Sequence, residues 1–454
     1  MYLGGREIVP RVFLALRLAT HWGTAVSELL LLGANRSHVG SIRALRSRGF
    51  VVHAVDDVPI PYGIEAADVG YRVDPADVDG LVRELPTGWR PQVILHSSET
   101  LLASAIGLSQ HFGLRPPSPS WLGDKALVRA RLESDPSTRV LSRRCRTPQQ
   151  LRGALATWQG PAIVKPSVSG GGSRGVMRLD QPTTADPHAL WQSTKAAGGA
   201  PGASVLVEEV LVGPQLSIDA WVDDAGVRVW GVGVNIKQRG VHQVNTAIVF
   251  SEPIWRRYHL GATEALDSVC RLLGYRWGPI HAEFVATDCG LRLLELAPRV
   301  GGGAVPDAIA ASGSPHPAVA AAQLSVGGTD PVPRPPRRPS ALQFVITEPG
   351  RALAADGAAT AVDVPGVCDI FVMVPLDGWI GELTQTSGRL GFVVATGATV
   401  EEVSESIARA LAHITVRYAD GRCLRPISTA LWPTTLQTEE LLDVDVQDVG
   451  GFLS

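Results

Sequence analysis

The sequence is short of cysteine and of long apolar runs. Only five cysteines occur among 454 residues, and no two have the Cys-x-x-Cys spacing. This excludes the usual zinc frameworks and leads us to expect a reducing, cytoplasmic environment. No stretch reaches the ~18 uninterrupted apolar residues that a membrane span needs. Two arginines interrupt the apolar run between Val9 and Ala19, and no small-residue cleavage site follows, so a signal peptide is not predicted.

The chain also lacks an excess of charge of one sign, and it has very little lysine. Its formal net charge is −3, which removes the electrostatic argument for a nucleic acid or an anionic membrane as partner. Of 41 basic residues only four are lysine: Lys125, Lys165, Lys195 and Lys237. A lysine supplies a compact point charge where arginine supplies a planar fork. Each retained lysine is therefore either a candidate for a site that needs such a charge or a chance survivor on the surface.

What the sequence does contain is an alternation of strands and helices near its beginning. Residues 28–34, 50–55 and 93–96 have the pattern of short buried strands, and residues 37–48 and 101–111 have helical spacing. Strands that alternate with helices predict a parallel sheet, so the fold class is α/β. We divide the chain into an extension (1–27), a parallel α/β lobe (28–120), a core of two α+β subdomains (121–328), a Pro/Arg-rich connector (329–340) and a C-terminal α+β lobe (341–454).

A glycine-rich loop follows a strand that ends in lysine. Gly170, Gly172 and Gly175 satisfy the GxGxxG pattern, but residues 176–179 read as a strand, whereas a dinucleotide fingerprint must open a helix. No Gly-Lys-Ser/Thr ending is present, and Lys165 precedes the loop, unlike the lysine of a protein kinase. Backbone N–H groups of such a loop can close over phosphate oxygens while Lys165 supplies a point charge. The alternative is an ordinary glycine-rich hairpin.

Two glutamates are predicted to face each other on a hairpin. If residues 288–290 form its turn, Glu283 lies directly across from Glu295, with the two side chains on one face. Like charges repel there, and a bound Mg²⁺ would resolve the conflict, because it takes carboxylate and phosphate oxygens. Arg299 could then reach an anion held at the metal. The alternative is two exposed glutamates on a solvated hairpin; a zinc deaminase motif at His281-x-Glu283 fails because Pro-Cys-x-x-Cys is absent.

Two further segments are candidates for binding. Residues 205–215 run from an apolar strand through Glu208 and Glu209 to a Gly-Pro bend, which suits an adenine hinge or, alternatively, a strand with exposed acids. Residues 237–250 have the composition of a polar loop that covers a substrate, and a plain surface loop is an equal alternative.

The order and spacing of Lys125, Lys165, Glu208-Glu209, Glu283, Glu295 and Arg299 resemble the ATP-grasp superfamily. The resemblance is closest to the L-amino-acid ligases, a carboxylate–amine ligase group, and more distant to biotin carboxylase and carbamoyl-phosphate synthetase. It covers nearly the whole chain: residues 28–120 resemble the pre-ATP-grasp domain, and residues 388–397 resemble the C-terminal lobe of that ligase group. The implied fold is therefore the three-lobed ATP-grasp architecture.

The resemblance implies roles for individual residues. Lys125 and Lys165 would contact ATP phosphates, Glu283 and Glu295 would hold Mg²⁺, and Arg299 would steady an acyl-phosphate. The mobile phosphate loop and the adenine pocket would be formed by Ser169, Gly170, Gly171, Gly172, Gly175, Glu208, Glu209, Val210 and Leu211. The sequence departs from the family at two positions. Gln215 falls where many members have a ribose-binding glutamate, and Ala297 falls where many have a metal-binding asparagine.

The implied function is an ADP-forming ligase that joins a carboxylate to an amine through an acyl-phosphate, with ATP and Mg²⁺ as cofactors. Its substrates would be small molecules, amino acids or similar acids in a biosynthetic pathway, and a homodimer is usual for this resemblance. Two alternatives stay open. One is a bicarbonate- or purine-type carboxylase, for which neither a bicarbonate site nor a Met-Lys-Met carrier motif is found. The other is an ATP-binding protein whose site is silenced, as the two departures suggest.

Overall fold

The computed structural model describes residues 27–117, 119–169, 171–198, 203–238, 240–328 and 331–427. Gly170, Arg239, most of the predicted extension and the acidic tail at 436–454 lie outside the described residues. Within the described ranges, no helix combines the length and the apolar character needed to cross a membrane.

The first lobe is a parallel sheet flanked by helices, as the alternating pattern predicts. Its strands pair in the order β3-β2-β1-β4, and residues 29–32 of the central strand are almost fully buried. The elements are β1 (Glu28–Leu32), α1 (Val39–Ser47), β2 (Val51–Val55), α2 (Tyr62–Ala66), β3 (Val69–Tyr71), α3 (Val78–Glu84), β4 (Val93–His96) and α4 (Leu102–Phe112). The chain order changes direction between β1 and β4, and in open α/β sheets ligands bind beyond the carboxyl ends of the strands at such a point.

A small antiparallel lobe follows, with strand order β5-β8-β6-β7. Its elements are α5 (Lys125–Leu132), β5 (Ser142–Cys145), α6 (Pro148–Ala156), β6 (Ala162–Pro166), β7 (Met177–Leu179), α7 (Pro187–Gly198) and β8 (Val205–Glu209). The glycine-rich loop connects β6 to β7, so both halves of the predicted strand–loop–strand pattern are present. Asp124 caps α5 by accepting a hydrogen bond from the Ala126 N–H, which fixes the start of that helix at Lys125.

The largest sheet has eight antiparallel strands in the order β13-β12-β9-β10-β11-β14-β18-β16. Its strands are β9 (Gln215–Asp223), β10 (Gly226–Lys237), β11 (Asn245–Phe250), β12 (Gly278–Thr287), β13 (Gly290–Ala297), β14 (Ser340–Val345), β16 (Val367–Val372) and β18 (Gly391–Thr396). Helix α8 (Glu252–Leu273) buries its apolar stripe against one face, while α9 (Val305–Ala311) and α10 (Pro317–Ser325) pack on the other. Strands from both sides of the predicted connector therefore share one sheet.

The remaining elements complete the C-terminal lobe. They are β15 (Gly350–Asp356), α11 (Ala358–Ala361), β17 (Trp379–Ile380), α12 (Val400–His413), β19 (Thr415–Tyr418) and β20 (Cys423–Leu424). The second sheet of this lobe has the strand order β17-β15-β19-β20. Apolar residues of α12 pack into the same core as α8, so the lobe is fused to the large sheet.

Two sequence-based expectations are corrected by the structure. The segment 237–250 is not a continuous loop, because Asn245–Phe250 forms β11 in the middle of the large sheet. The turn of the predicted hairpin contains two residues, Asp288 and Cys289, since Thr287 pairs directly with Gly290. The continuous apolar run at residues 247–250 carried the strand signal that the polar beginning of the segment obscured.

Candidate functional site

A cavity of about 1300 Å³ lies where the three lobes meet. It is bounded by the carboxyl edge of the parallel sheet, the glycine-rich loop, one face of the large sheet and the beginning of the C-terminal lobe. Most of the predicted site residues line it: Lys125, Lys165, Ser169, Gly171, Gly172, Glu208, Glu209, Val210, Leu211, Gln215, Glu283, Glu295 and Arg299. Gly175 is not among the lining residues, and its φ of 67° instead serves the turn that leads into β7.

At the small-lobe end, one buried carboxylate holds two cations. Glu208 accepts from Arg129 Nε at 2.8 Å and lies 2.7 Å from Lys165 Nζ, and its side chain is 2% exposed. Burial alone would raise the pKa of Glu208, but the two cations lower it to about 2. The Glu208 side chain is thus committed to fixing Lys165 and Arg129, so only its backbone is left for the predicted hinge contact.

Lys125 occupies the first turn of α5 and points into the same cavity. Its Nζ lies 3.0 Å from Glu295 Oε1 and 3.2 Å from Ser169 Oγ. Burial would lower the pKa of Lys125, but the carboxylate of Glu295 outweighs that effect and raises it. Lys125 therefore stays charged beside the glycine-rich loop.

The two hairpin glutamates face each other directly. The strands pair Glu283 with Glu295, as predicted, although the turn is one residue shorter than expected. A β-bulge between Glu283 and Phe284 absorbs the difference and restores the register. The facing carboxylates are thus produced by the bulge, which the sequence did not reveal.

The large sheet is concave on the side of the cavity. Asn235 on β10 and Asn245 on β11 both point their Nδ2 groups at Glu283 Oε1 on β12, at 3.2 and 3.5 Å. Two or three strand spacings of ~4.8 Å separate these strands in the sheet. Side chains so far apart meet only because the sheet coils. The concave face therefore brings donors from β10 and β11 onto the hairpin glutamates.

The carboxylates of Glu283 and Glu295 are suited to bind a divalent cation together with other ligands. Among the described residues no group of three His, Cys, Asp or Glu side chains is close enough to hold a metal ion alone. Two facing carboxylates beside Lys125 and Lys165 suit instead a hard cation that takes its other ligands from phosphate oxygens. Gln215, which lines the cavity, supports a ligand nearby, because its buried Oε1 has no hydrogen-bond partner among the described residues.

Arg299 connects the hairpin to the first lobe. Its guanidinium pairs with Glu99, which follows β4 at the carboxyl edge of the parallel sheet, and donates to the Val300 carbonyl at 2.7 Å. Its buried Nε has no hydrogen-bond partner within the described ranges. Burial alone would raise the pKa of Glu99, but Arg299 lowers it, so Glu99 is charged. Arg299 lines the cavity, and a buried guanidinium in that position is suited to an anionic ligand.

The glycine-rich loop reaches both outer lobes. Gly171 and Gly172 have φ values of 74° and 69°, which residues with a side chain rarely adopt. A Cβ on Gly172 would lie 2.3 Å from Thr386 Oγ1, and the Gly172 carbonyl accepts from the Thr386 N–H at 3.0 Å. A Cβ on Gly171 would lie 3.1 Å from Glu99 Oε2. Glycine is therefore required for the loop to lie closely over the cavity.

Ala297 lines the cavity at the end of the hairpin and has no side-chain group that could bind a metal ion. It is 1% exposed, and its strand position pairs with His281, whose Nδ1 lies 3.0 Å from Asp219 Oδ2. We expect Ala297→Asn to lower the half-saturating Mg²⁺ concentration for turnover by roughly 10-fold, because it adds a ligand oxygen near the glutamates. Turnover measured against Mg²⁺ concentration tests this. Ala297→Leu, whose side chain branches at the same atom but carries no oxygen, is the control; equal Mg²⁺ curves for both variants would mean that another group supplies the ligand.

Three residues of the site were missed by sequence reasoning: Glu99 and Asn235 line the cavity, and Arg129 pairs with Glu208, which lines it. Arg129 lies one turn after Lys125 on α5, and that i+4 spacing could have revealed it. Glu99 stands at the carboxyl end of a parallel strand, where α/β sheets bind ligands. Asn235 gives no comparable signal, because only the coiling of the sheet brings it to Glu283.

Comparison with known proteins agrees with this geometry. A model of the ATP-grasp domain matches residues 158–307, and a model of the L-amino acid ligase C-terminal domain 2 matches residues 343–419. The chain contains an ATP-grasp domain. The predicted family, fold class and enzyme class, an ATP-dependent ligase, are thereby confirmed.

Individual relatives of this ATP-grasp protein are distant. The uncharacterized protein y4rH of Sinorhizobium fredii is 25% identical over 84% of this chain and 80% of its own length. The L-amino acid ligase of Bacillus licheniformis has a similar fold, with a TM-score of 0.69 at 17% identity over 86% of this chain and 98% of that one. The biotin carboxylase domain of the Hydrogenobacter thermophilus 2-oxoglutarate carboxylase gives 0.65 at 16% identity over 89% and 92%.

Proposed function

We propose that this ATP-grasp enzyme is an ADP-forming carboxylate–amine ligase that works through an acyl-phosphate. The carrying observation is the convergence of Lys125, Lys165, two facing glutamates and Arg299 on one cavity beneath a glycine-rich loop. Its cofactors are ATP and Mg²⁺; among proteins of similar fold, the carboxylase domain named above was solved with MgADP and a Staphylococcus aureus synthetase with ADP. An L-amino acid ligase type of C-terminal domain supports amino acids as substrates.

In this proposal the cationic residues bind the phosphates of ATP, and the acidic residues bind Mg²⁺. Lys125, Lys165 and the backbone of the glycine-rich loop would bind the phosphates of ATP, and residues 209–211 and Gln215 would line the nucleoside. Glu283 and Glu295 would hold Mg²⁺, which neutralises charge on the transferring phosphate when bound. In this arrangement the substrate carboxylate attacks the γ-phosphate in line and ADP leaves.

The second half of the reaction needs protection from water. The acyl-phosphate is attacked by an amine, which gives an amide and inorganic phosphate, and water would compete with the amine. The loop at Gly171 and Gly172, whose backbone bonds to Thr386 of the C-terminal lobe, would exclude it. Arg299, held by Glu99, would bind the anionic intermediate.

The first test uses hydroxylamine as a surrogate amine. We expect the purified protein, given ATP, Mg²⁺ and pools of amino acids, to release ADP and to form a hydroxamate with at least one pool. Chromatography that separates ADP from AMP, with colorimetric detection of the hydroxamate, provides the measurement. AMP as product would contradict the acyl-phosphate route. Bicarbonate-dependent ADP release without hydroxamate would favour a carboxylase instead.

A further inference from the structure

The side chains on the cavity face of the large sheet change from polar to aromatic across its width. Around β12, β9 and β10 it is polar, with Glu283, Gln215 and Asn235 facing the cavity. On β14, β18 and β16, Phe344 pairs directly with Phe392, and Phe392 with Phe371, so three rings form a row across three strands. All three line the cavity. We call these three residues the phenylalanine row.

The phenylalanine row is not a sealed core. Phe344 and Phe371 are only partly buried, although Phe392 is 5% exposed. The first lobe covers part of the row: the Tyr62 ring meets Phe371 edge-on at 5.5 Å, and Arg36 lies 4.8 Å from the Phe371 centroid. Apolar surface that remains open in a cavity is costly in water and is typical of a ligand site.

Two cations stand where the polar and aromatic parts meet. The Arg389 guanidinium lies 3.5 Å from the Phe344 centroid and donates to the Asn245 carbonyl, while its buried Nε has no hydrogen-bond partner in the part of the chain that the structure describes. Lys237 pairs with Asn245 in the sheet, and no hydrogen-bond partner for its Nζ occurs among the described residues. Burial lowers the pKa of Lys237 to about 8 and that of Arg389 to about 9.

These cations differ from the other arginine on the row. Arg36 is paired with Asp369 at 3.2 Å, whereas neither Arg389 nor Lys237 has a carboxylate within 4.0 Å in the described part of the chain. Both cations are partly buried, and a partly buried cation without an acidic partner is stabilised by an anionic ligand. The cavity, at about 1300 Å³, also exceeds the 300–1,000 Å³ typical of a site for one small molecule.

We propose that this end of the cavity binds a carboxylic acid with a large apolar, aromatic side chain. The side chain lies on the phenylalanine row, and Arg389 with Lys237 holds the carboxylate at the border with the polar half. That position presents the carboxylate toward the phosphate-binding residues. Naming this molecule as the acid substrate rests on the proposed ligase function; its binding does not.

Equilibrium binding tests the site without turnover. Isothermal titration in MgADP would compare L-phenylalanine, L-alanine and phenethylamine, which has the ring but no carboxylate. We expect L-phenylalanine to bind at least 10-fold more tightly than either of the others. Equal affinities, or no binding of L-phenylalanine, would overturn the proposal.

Variants then test which residues bind the aromatic side chain of the ligand and which bind its carboxylate. Phe371→Ala is expected to reduce the preference for binding L-phenylalanine over L-alanine about 10-fold. Arg389→Gln is expected to lower the affinity for L-phenylalanine about 10-fold while the affinity for MgADP stays the same. Trp379→Ala removes an exposed ring of the same lobe outside the cavity and serves as the control. Unchanged preference in Phe371→Ala, or an equal change in the control, would contradict the proposal.

Activity separates this inference from the proposed function. With hydroxylamine, L-phenylalanine is expected to give hydroxamate at a kcat/KM at least 10-fold above L-alanine. Selective L-phenylalanine binding without ADP release from any acid would refute the ligase function and leave the binding site standing. ADP release with small or acidic amino acids alone would refute the inference and leave the ligase function standing.

Discussion

Glu295→Ala is expected to lower Mg²⁺-dependent turnover by about 10³-fold or more while the protein stays folded. Phosphoryl transfer depends on metal and positive groups that neutralise the transferring oxygens, and losing one such element typically costs this much. The side chain of Glu295 is 28% exposed and its ion-pair partner is Lys125, so its removal takes little from the core. Steady-state ADP release against Mg²⁺ concentration, with thermal unfolding of the same sample, provides the measurement.

The control for this experiment is Glu264→Ala, which removes an exposed glutamate from α8. Its turnover and melting temperature are expected to match those of the wild type. If Glu295→Ala retains wild-type turnover at every Mg²⁺ concentration, the hairpin glutamates do not hold the metal. A loss of melting temperature that parallels the loss of activity would instead assign Glu295 a structural role.

Glu208→Gln is expected to destabilise the protein by about 3 kcal/mol or more at pH 7. The change keeps the shape but removes the charge that holds Arg129 and Lys165, and breaking a buried pair from one side typically costs 3–5 kcal/mol. Denaturant unfolding followed by fluorescence and circular dichroism measures the free energy of unfolding. Glu209→Gln, at the next position on the same strand, is the matched control, because an amide oxygen can still accept from the Leu141 N–H.

The same variant has a predictable pH dependence. The pKa of Glu208 is lowered to about 2 in the folded protein from an ordinary 4.5, so its stabilisation is complete above pH 4.5 and lost as pH falls through about 2. The stability difference between wild type and Glu208→Gln should therefore shrink steadily from pH 4.5 downward. A difference that stays constant down to pH 3 would show that Glu208 is not the titrating partner.

The sequence predicted local features well where one residue sets the local structure. Asp124, a residue type that favours helix starts, caps α5, and the lysine–glycine loop lies between two strands as its pattern indicates. The pairing of Glu283 with Glu295 was predicted from a turn of the wrong length and is restored by a bulge. A bulge depends on packing across the sheet, which a single strand's sequence does not encode.

Long-range contacts of the site could not be predicted. Glu99 and Arg299 lie 200 residues apart and meet only because the parallel sheet docks on the hairpin. Arg389, just before β18, reaches Asn245 on β11 across 144 residues because only β14 separates these two strands in a sheet whose order does not follow the chain. Residue types identified the chemistry of the cavity, while sheet order and coiling determined which residues share it.

The continuous eight-stranded sheet has a consequence for how such enzymes can diversify. Backbone hydrogen bonds run without interruption from the hairpin glutamates on β12 and β13 to the phenylalanine row on β14, β18 and β16. The part that would recognise the acid is therefore not an interchangeable module, because exchanging it would break the β11–β14 ladder and expose an apolar edge at Asn245–Phe250. We expect a new substrate specificity to arise instead by substitution of individual side chains that face the cavity from this one sheet.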